Sequence, residues 1–154
     1  MALNVVLVEP EIPQNTGNIA RTCVVTGSTL HIIKPMGFSL EEKHIRRAGL
    51  DYWKDVKLKM YNTIDELWQE YPGGDFLYFT TKAKMRFNKV SYPPDCFLVF
   101  GKETEGLKKS ILEQNKDKCV RIPMLGDQRC LNLSNAVCVA VYEALRANGY
   151  FDLN

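Results

Sequence analysis

Short apolar segments that alternate with helix-like segments constrain the fold of this chain more than any other feature. Strands are predicted at residues 3–8, 30–33, 57–61, 76–80, 97–100 and 119–122. Helices are predicted between and after them, at residues 16–26, 41–48, 64–71, 106–114 and 133–148. This alternation is typical of an α/β fold, so we expect a mostly parallel sheet with helices on both faces.

Capping residues indicate where two of these helices begin or end. Asn15 precedes the first predicted helix as a possible N-cap, and Gly27 follows it as a stop. Thr63 precedes the helix predicted at 64–71 and is expected to cap it.

The length and composition indicate one globular domain. The chain has 154 residues, of which 45% are hydrophobic and 25% are charged, and it contains no linker or internal repeat. We therefore expect a single domain over residues 1–154. The N-terminal apolar run is short and has no basic start, and no apolar run approaches the roughly 20 residues of a membrane span. A cytoplasmic protein without a membrane segment is expected.

The cysteines predict neither disulfides nor a metal centre. Their number, five, is odd, and no pair has the C-x-x-C spacing of a structural zinc site. Reduced thiols and no bound metal are therefore expected. The net charge of +2 permits nucleic-acid binding but does not indicate it.

The candidate functional segments are the loops that follow the predicted strands, because parallel sheets bind ligands beyond the carboxyl ends of their strands. Four such loops follow Val8, Thr80, Phe100 and Ile122. The loop after Val8 contains no G-x-G-x-x-G, which excludes a Rossmann dinucleotide site.

The loop "GKETEG" has two glycines at P-loop spacing, at Gly101 and Gly106. It lacks the Lys and Ser/Thr that a P-loop needs next, and Glu103 and Glu105 would repel phosphate. A P-loop is therefore rejected. The glycines either are turn residues or allow the backbone to approach a flat ligand closely.

The first predicted helix has two different faces. Ile19 and Cys23 are four residues apart and form an apolar stripe, whereas Asn18 and Arg21 share another face that should point away from it. Arg21 is either a solvated charge or a functional group beside a ligand-side loop. Neither histidine, His31 in a strand or His44 in a charged helix, belongs to a convincing catalytic triad.

Two segments mix cations with aromatic residues, as RNA-binding surfaces do. They are "HIRRAGLDYW" at residues 44–53 and "TKAKMRF" at residues 81–87. Solvated protein surface explains the same composition equally well.

The segment "RIPMLGDQRCLNLSNAVCVAVYEAL" changes from a strand through a polar loop to a nearly all-apolar helix. At the change, residues 132–135 read Asn-Leu-Ser-Asn, which is more hydrogen-bonding capacity than one helix cap requires. The helix has too little polar surface to stand exposed, so burial against the sheet and a subunit interface are both expected.

Three segments together resemble one family. "EPEIPQNTGNIAR" (residues 9–21), "FGKETEGL" (100–107) and "RIPMLGDQRCLNLSNAV" (121–137) are similar to the three motifs of SPOUT RNA 2′-O-methyltransferases. Within that superfamily, the chain most resembles the enzymes that modify the wobble nucleotide of tRNA. "HIIKPMGF" and "RRAGLDYW" also match that group, and the resemblance spans nearly the whole chain.

The resemblance implies a C-terminal trefoil knot, S-adenosylmethionine as cofactor, tRNA as substrate and a homodimer packed around the knot. General topology rules would not have predicted a knot. By match of position with the family, the implied cofactor contacts are Phe79 or Thr80 after the fourth predicted strand, and Gly101, Glu103, Ile122, Met124, Cys130, Leu131 and Asn132 in the second and third motifs.

The same resemblance implies roles in catalysis and substrate binding. Arg21 matches the family's catalytic arginine. Ser134 and Tyr142 match polar positions near the active site and the dimer or RNA contact. The polar and basic segments described above add Asn15, Asn18, Arg46, Arg47, Lys82 and Lys84 as candidate substrate contacts. Methylation of another tRNA or ribosomal RNA position, and RNA or cofactor binding without catalysis, are the alternatives.

The chain departs from the family pattern at Cys130, where the third motif usually has a serine. A thiol is a weaker hydrogen-bond donor than a hydroxyl. We therefore expect the cofactor contact at this position to be made by the backbone.

Overall fold

The computed structural model describes residues 1–38, 53–126 and 130–154. The helix predicted at 41–48 lies outside the described residues, as do His44, Arg46 and Arg47. Of the basic segment 44–53, the described residues include only Trp53.

Six parallel strands form one sheet. They are β1 (Asn4–Val8), β2 (Thr29–Ile33), β3 (Lys57–Tyr61), β4 (Phe76–Phe79), β5 (Phe97–Phe100) and β6 (Cys119–Val120). The order across the sheet is β3-β2-β1-β5-β4-β6. The parallel α/β sheet expected from the sequence is confirmed, and every pairing is parallel.

Four helices flank the sheet in the described residues. They are α1 (Pro13–Thr26), α2 (Ile64–Glu70), α3 (Lys109–Gln114) and α4 (Leu133–Ala147). The buried side chains form two clusters, one on each face of the sheet. Side chains of α1 and α4 join the first cluster, and those of α2 and α3 join the second.

The predicted start of α1 is wrong by three residues. The helix begins at Pro13, and Ile12 is the N-cap residue, without a side-chain cap bond. Pro suits this position because its fixed φ is helical and its missing N–H would have no partner in the helix. Asn15 is therefore a helical residue, not the cap. Gly27 ends the helix in the left-handed conformation, as predicted.

The predicted cap of α2 is confirmed, whereas two other element ends are corrected. The Thr63 hydroxyl accepts a hydrogen bond from the N–H of Glu66. The helix predicted from residue 106 begins only at Lys109, because Gly106 adopts a positive φ and pairs in a bridge with Lys102. The strand predicted to reach residue 122 ends at Val120.

His31 is a core residue, in agreement with its position in a predicted strand. It is completely buried, and its two ring nitrogens lie 2.9 Å from Asn4 Oδ1 and 3.2 Å from the Tyr61 hydroxyl. Its ring also contacts the rings of Tyr61, Tyr71 and Phe97. Neighbouring side chains thus satisfy the hydrogen-bonding capacity of the ring. His31 lies on the face of the sheet that carries the second core cluster.

Candidate active site

A cavity of about 280 Å³ opens beyond the carboxyl ends of β4 and β5. This is where ligands bind in open parallel sheets, and the volume is near the lower end of small-molecule pockets, which span roughly 300–1,000 Å³. Eight of the nine predicted cofactor residues line it: Phe79, Thr80, Gly101, Glu103, Ile122, Met124, Cys130 and Leu131. The structure thus brings together segments that are up to 52 positions apart in sequence (131 − 79).

The floor of the cavity is aromatic. The rings of Phe79 and Phe100 stack with centroids 4.7 Å apart and planes inclined by 17°. Ile122, Leu131 and Leu133 add aliphatic walls. A flat heterocycle fits such walls, because dispersion contacts and burial of apolar surface favour it there.

Polar and charged residues also line the cavity. They are Thr80, Thr81, Lys82, Lys102, Glu103, Thr104 and Glu105. The cavity therefore offers both apolar and polar groups to one ligand. Lys102 and Thr104 were missed from the sequence, although both lie inside the second motif, because the motif gives no direction for their side chains.

Gly101 is a glycine because of the loop's own backbone. A β-carbon there would lie 2.0 Å from the carbonyl carbon of Gly106 and 2.2 Å from the nitrogen of Leu107. Gly106 itself has φ of +70°, which glycine adopts without strain. The sequence left open whether these glycines shape a turn or let the backbone approach a flat ligand. The structure supports the turn for both residues, and both also line the cavity.

Glu103 lines the cavity, but its carboxylate is directed at the segment before α1. It accepts hydrogen bonds from the N–H groups of Glu11 at 2.9 Å and Ile12 at 2.6 Å, and from Asn15 Nδ2 at 3.2 Å. A carboxylate is favourable at a helix N-terminus, where unpaired N–H groups carry partial positive charge. Asn15 is buried and donates to this carboxylate, which gives it a structural role, and its contact with substrate stays a prediction.

Asn132, the ninth predicted cofactor residue, is absent from the cavity lining and caps α4. Its Oδ1 accepts from the Ser134 N–H at 2.9 Å and from the Ser134 hydroxyl at 2.6 Å. Ser134 is buried, and its contact with substrate stays a prediction. The polar cluster before the apolar helix is explained in large part by capping, with Asn132 as the acceptor.

Arg21 lies on the outer face of α1, as predicted, while Ile19 and Cys23 are buried. It is absent from the cavity lining. It is eight residues beyond Pro13, or about 12 Å along a helix with a rise of 1.5 Å per residue. Asn18 is exposed on the same face.

The outer faces of α1 and α4 form a continuous surface, since the two helices pack against each other. On α4, Val139 and Tyr142 are exposed, and on α1, Val25 is 58% exposed. Tyr142, a predicted substrate contact, and Arg21, the predicted catalytic residue, thus lie in the same layer of helices.

The segment after β4 carries a row of cations. Lys82, Lys84, Arg86 and Lys89 are exposed, and Lys82 also lines the cavity. Backbone hydrogen bonds to Arg121 fix the segment, from the Arg121 N–H to Met85 and from the Phe87 N–H to Arg121. The positive surface therefore begins at the cavity mouth.

Metal and membrane signals are both lacking in the described part of the chain. Residues 1–38, 53–126 and 130–154 contain no group of three His, Cys, Asp or Glu side chains that could hold a metal ion. Over the same residues, none of the helices combines the length and apolar character that a bilayer crossing needs.

The fold and the cavity define an α/β protein that binds a small ligand at the carboxyl edge of a parallel sheet. The model of the SpoU rRNA Methylase family matches residues 2–142. The chain belongs to this family, which confirms the resemblance seen in its three motifs.

Similar proteins cover the whole chain. A relative from Geobacillus stearothermophilus is 48% identical over 100% of both chains. The tRNA (cytidine(34)-2′-O)-methyltransferase of Escherichia coli (strain K12) is 47% identical over 96% of this chain and 95% of its own. A solved structure described as "Structural insights into the 2-OH methylation of C/U34 on tRNA" has a TM-score of 0.90 and 38% identity, covering 96% and 97% of the two chains.

Proposed function

We propose that this protein transfers a methyl group from S-adenosylmethionine to the ribose 2′-oxygen of nucleotide 34 of tRNA, a cytidine or uridine. The observation that carries the proposal is the assembly of residues from the second and third motifs around one cavity. The activity of the Escherichia coli relative, at 47% identity over nearly the full length, supports the substrate.

The cavity has the chemistry to hold S-adenosylmethionine. Its stacked Phe79 and Phe100 rings suit an adenine, and its hydroxyls and lysines suit a ribose and an amino-acid carboxylate. Bound there, S-adenosylmethionine would supply a methyl group on a positively charged sulfur. Shielding of the reacting atoms from water would protect the methyl donor.

Arg21 is the proposed catalytic residue. A guanidinium stays protonated in proteins, so its role is to stabilise the negative charge that develops on the 2′-oxygen and to hold a phosphate. The proton of the hydroxyl leaves to a phosphate oxygen or to water. Positioning of the two reactants supplies much of the remaining rate enhancement.

A homodimer is part of the proposal because Arg21 lies outside the cavity lining of its own chain. A second copy seated on the α1–α4 surface would cover the exposed Val139 and Tyr142 and bring Arg21 to the subunit boundary. Apolar side chains grouped on one face are typical of interfaces. A trefoil knot formed by the C-terminal segment is proposed with it, on the family resemblance.

The cations after β4 are the proposed contacts to tRNA phosphates. Lys82 and Lys84 are exposed beside the cavity, where a bound nucleotide would place its flanking phosphates. Two copies of this segment in a dimer would act on one tRNA, which compensates for a net charge of only +2 per chain. The cytoplasm is the proposed compartment, in keeping with free thiols.

The test is methyl transfer followed by mapping of the product. Purified protein, labelled S-adenosylmethionine and total tRNA should yield labelled tRNA, and nuclease mapping should place the methyl group on the ribose of nucleotide 34. Label at another position would replace the proposed substrate site. Binding of cofactor and tRNA without label incorporation would show a binding protein on the same scaffold.

A further inference from the structure

Two loops that belong to different motifs exchange carboxylate hydrogen bonds. Glu103, in the loop after β5, accepts from the N–H groups of Glu11 and Ile12. In return, Glu11 Oε1 accepts from the N–H of Thr104 at 3.0 Å and from its hydroxyl at 2.8 Å. We call this set of contacts the loop clasp.

The loop clasp is reinforced at its far end by an ion pair. Lys108 Nζ lies 2.9 Å from Glu9 Oε2, and the Glu9 side chain is only 14% exposed. Glu9 has φ of +56°, a conformation that costs energy for a residue other than glycine. Both ends of the loop after β5 are thus tied to the segment before α1.

The clasp acts on the cavity through Thr104. Residues 100–107 form a continuous part of the cavity lining, and Thr104 lies in the middle of it. The Thr104 contacts with Glu11 also lower the pKa of that carboxyl below its ordinary value, because they favour its charged form. Hydrogen bonds to a charged acceptor are stronger than those between neutral groups.

We propose that Glu11 is a positioning residue for the cofactor: it holds Thr104, and with it the loop after β5, in the conformation that binds S-adenosylmethionine. Glu11 does not line the cavity and acts through Thr104. Since Glu103 binds the N-terminus of the helix that carries Arg21, the same clasp ties the cofactor wall to the catalytic helix. This inference rests on the proposed function.

The experiment measures S-adenosylmethionine and S-adenosylhomocysteine dissociation constants by calorimetry on the full chain. Glu11→Ala should weaken binding of both by about tenfold, which corresponds to the loss of charge-assisted hydrogen bonds. Glu11→Gln keeps an oxygen acceptor and should recover most of the affinity. The control Glu113→Ala, on α3 and paired with Lys109 in an exposed contact, should bind as the wild type does.

A double-mutant cycle separates positioning from a general loss of stability. Thr104→Val removes only the hydroxyl contact, so it should weaken binding less than Glu11→Ala does. The double variant should bind no more weakly than Glu11→Ala alone, because both changes break the same contact. Thermal unfolding without ligand, measured in parallel, gives the purely structural cost of each change.

Two results would overturn the inference. One is a Glu11→Ala dissociation constant within twofold of wild type, with or without a lower unfolding temperature. The other is additive effects of Glu11→Ala and Thr104→Val, which would mean that the residues act separately. Failure of the proposed function is distinguishable from both, because it is read on the wild-type protein: either S-adenosylmethionine does not bind at all, or it binds and no methyl group reaches nucleotide 34.

Discussion

Gly101 and Gly106 approach each other so closely that neither the loop nor the cavity could keep its shape with a larger residue at the first position. A β-carbon on Gly101 would lie 2.0 Å from the Gly106 carbonyl carbon, well inside the contact distance of two carbon atoms. The neighbouring atoms belong to backbone, which cannot rotate aside as a side chain can. The loop therefore depends on this glycine.

Gly101→Ala should destabilise the fold and weaken cofactor binding together. Forcing the two backbone segments apart should cost about 3 kcal/mol of unfolding free energy, as overpacking does. Urea unfolding and S-adenosylmethionine calorimetry check the two effects. Gly73→Ala is the matched control, because its β-carbon would meet nothing within 4 Å and should change neither quantity.

Arg21→Ala should abolish methyl transfer and leave cofactor affinity near the wild-type value. The side chain is exposed on α1 and absent from the cavity lining, so its removal leaves that lining intact. Single-turnover methylation and calorimetry give the two numbers. Lys109→Ala, another exposed helical cation, should retain activity. If cofactor binding is lost with Arg21, the residue is structural and the catalytic role proposed for it is wrong.

Removal of Lys82 and Lys84 should weaken tRNA binding and flatten its dependence on salt. Each lost phosphate contact lowers the slope of log K against log salt by about 0.7 to 0.9. Binding titrations at several salt concentrations measure this slope. A double variant of Lys116 and Lys118 removes the same charge just before β6, at the amino ends of the parallel strands instead of their carboxyl ends. Equal slopes for the two double variants would exclude a specific role for the segment after β4.

The buried His31 should make stability fall in mild acid. Burial, with a smaller contribution from the charge of Lys59, lowers the His31 pKa from 6.5 to about 4. As the pH falls, His31 is therefore protonated in the unfolded chain before it is protonated in the folded protein. The stabilisation from the neutral ring is therefore complete above pH of about 6.5 and lost progressively down to about 4, by up to about 3 kcal/mol.

Urea unfolding at several pH values between 7 and 4.5 tests this dependence. His31→Gln is less stable throughout but should lose less stability across that range, because its amide does not titrate. Parallel curves for the two proteins would show that His31 does not account for the acid sensitivity.

Cys130 should be labelled by iodoacetamide and protected by S-adenosylmethionine. It is exposed and lines the cavity, whereas Cys23 and Cys96 are fully buried, with thiol pKa values raised by burial to about 12. Peptide mass spectrometry locates the label. Cys130→Ser should keep cofactor affinity within about twofold, a small fraction of the binding energy. A large gain in affinity would mean that a hydroxyl contact matters there.

Periodicity and capping chemistry were sufficient for the α/β class and its parallel sheet. Apolar strands of four to six residues must be buried on both faces, which requires a parallel sheet covered by helices, and Gly27 and Thr63 end or begin their helices as predicted. The errors lie where a distant residue intervenes. The N-terminus of α1 is bound by Glu103, 91 positions from Ile12, so Pro13 can open the helix without a local cap.

For the candidate site too, some features were predicted from the sequence and others were decided by the folded structure. The family resemblance identified residues of the cavity, since eight of the nine predicted cofactor residues meet there. The directions of side chains were decided by the folded structure. Asn15 and Asn132 are equally polar in the sequence, yet one binds the Glu103 carboxylate and the other caps α4. A hydrogen bond forms with whichever partner packing brings within about 3 Å, and packing is a property of the whole chain.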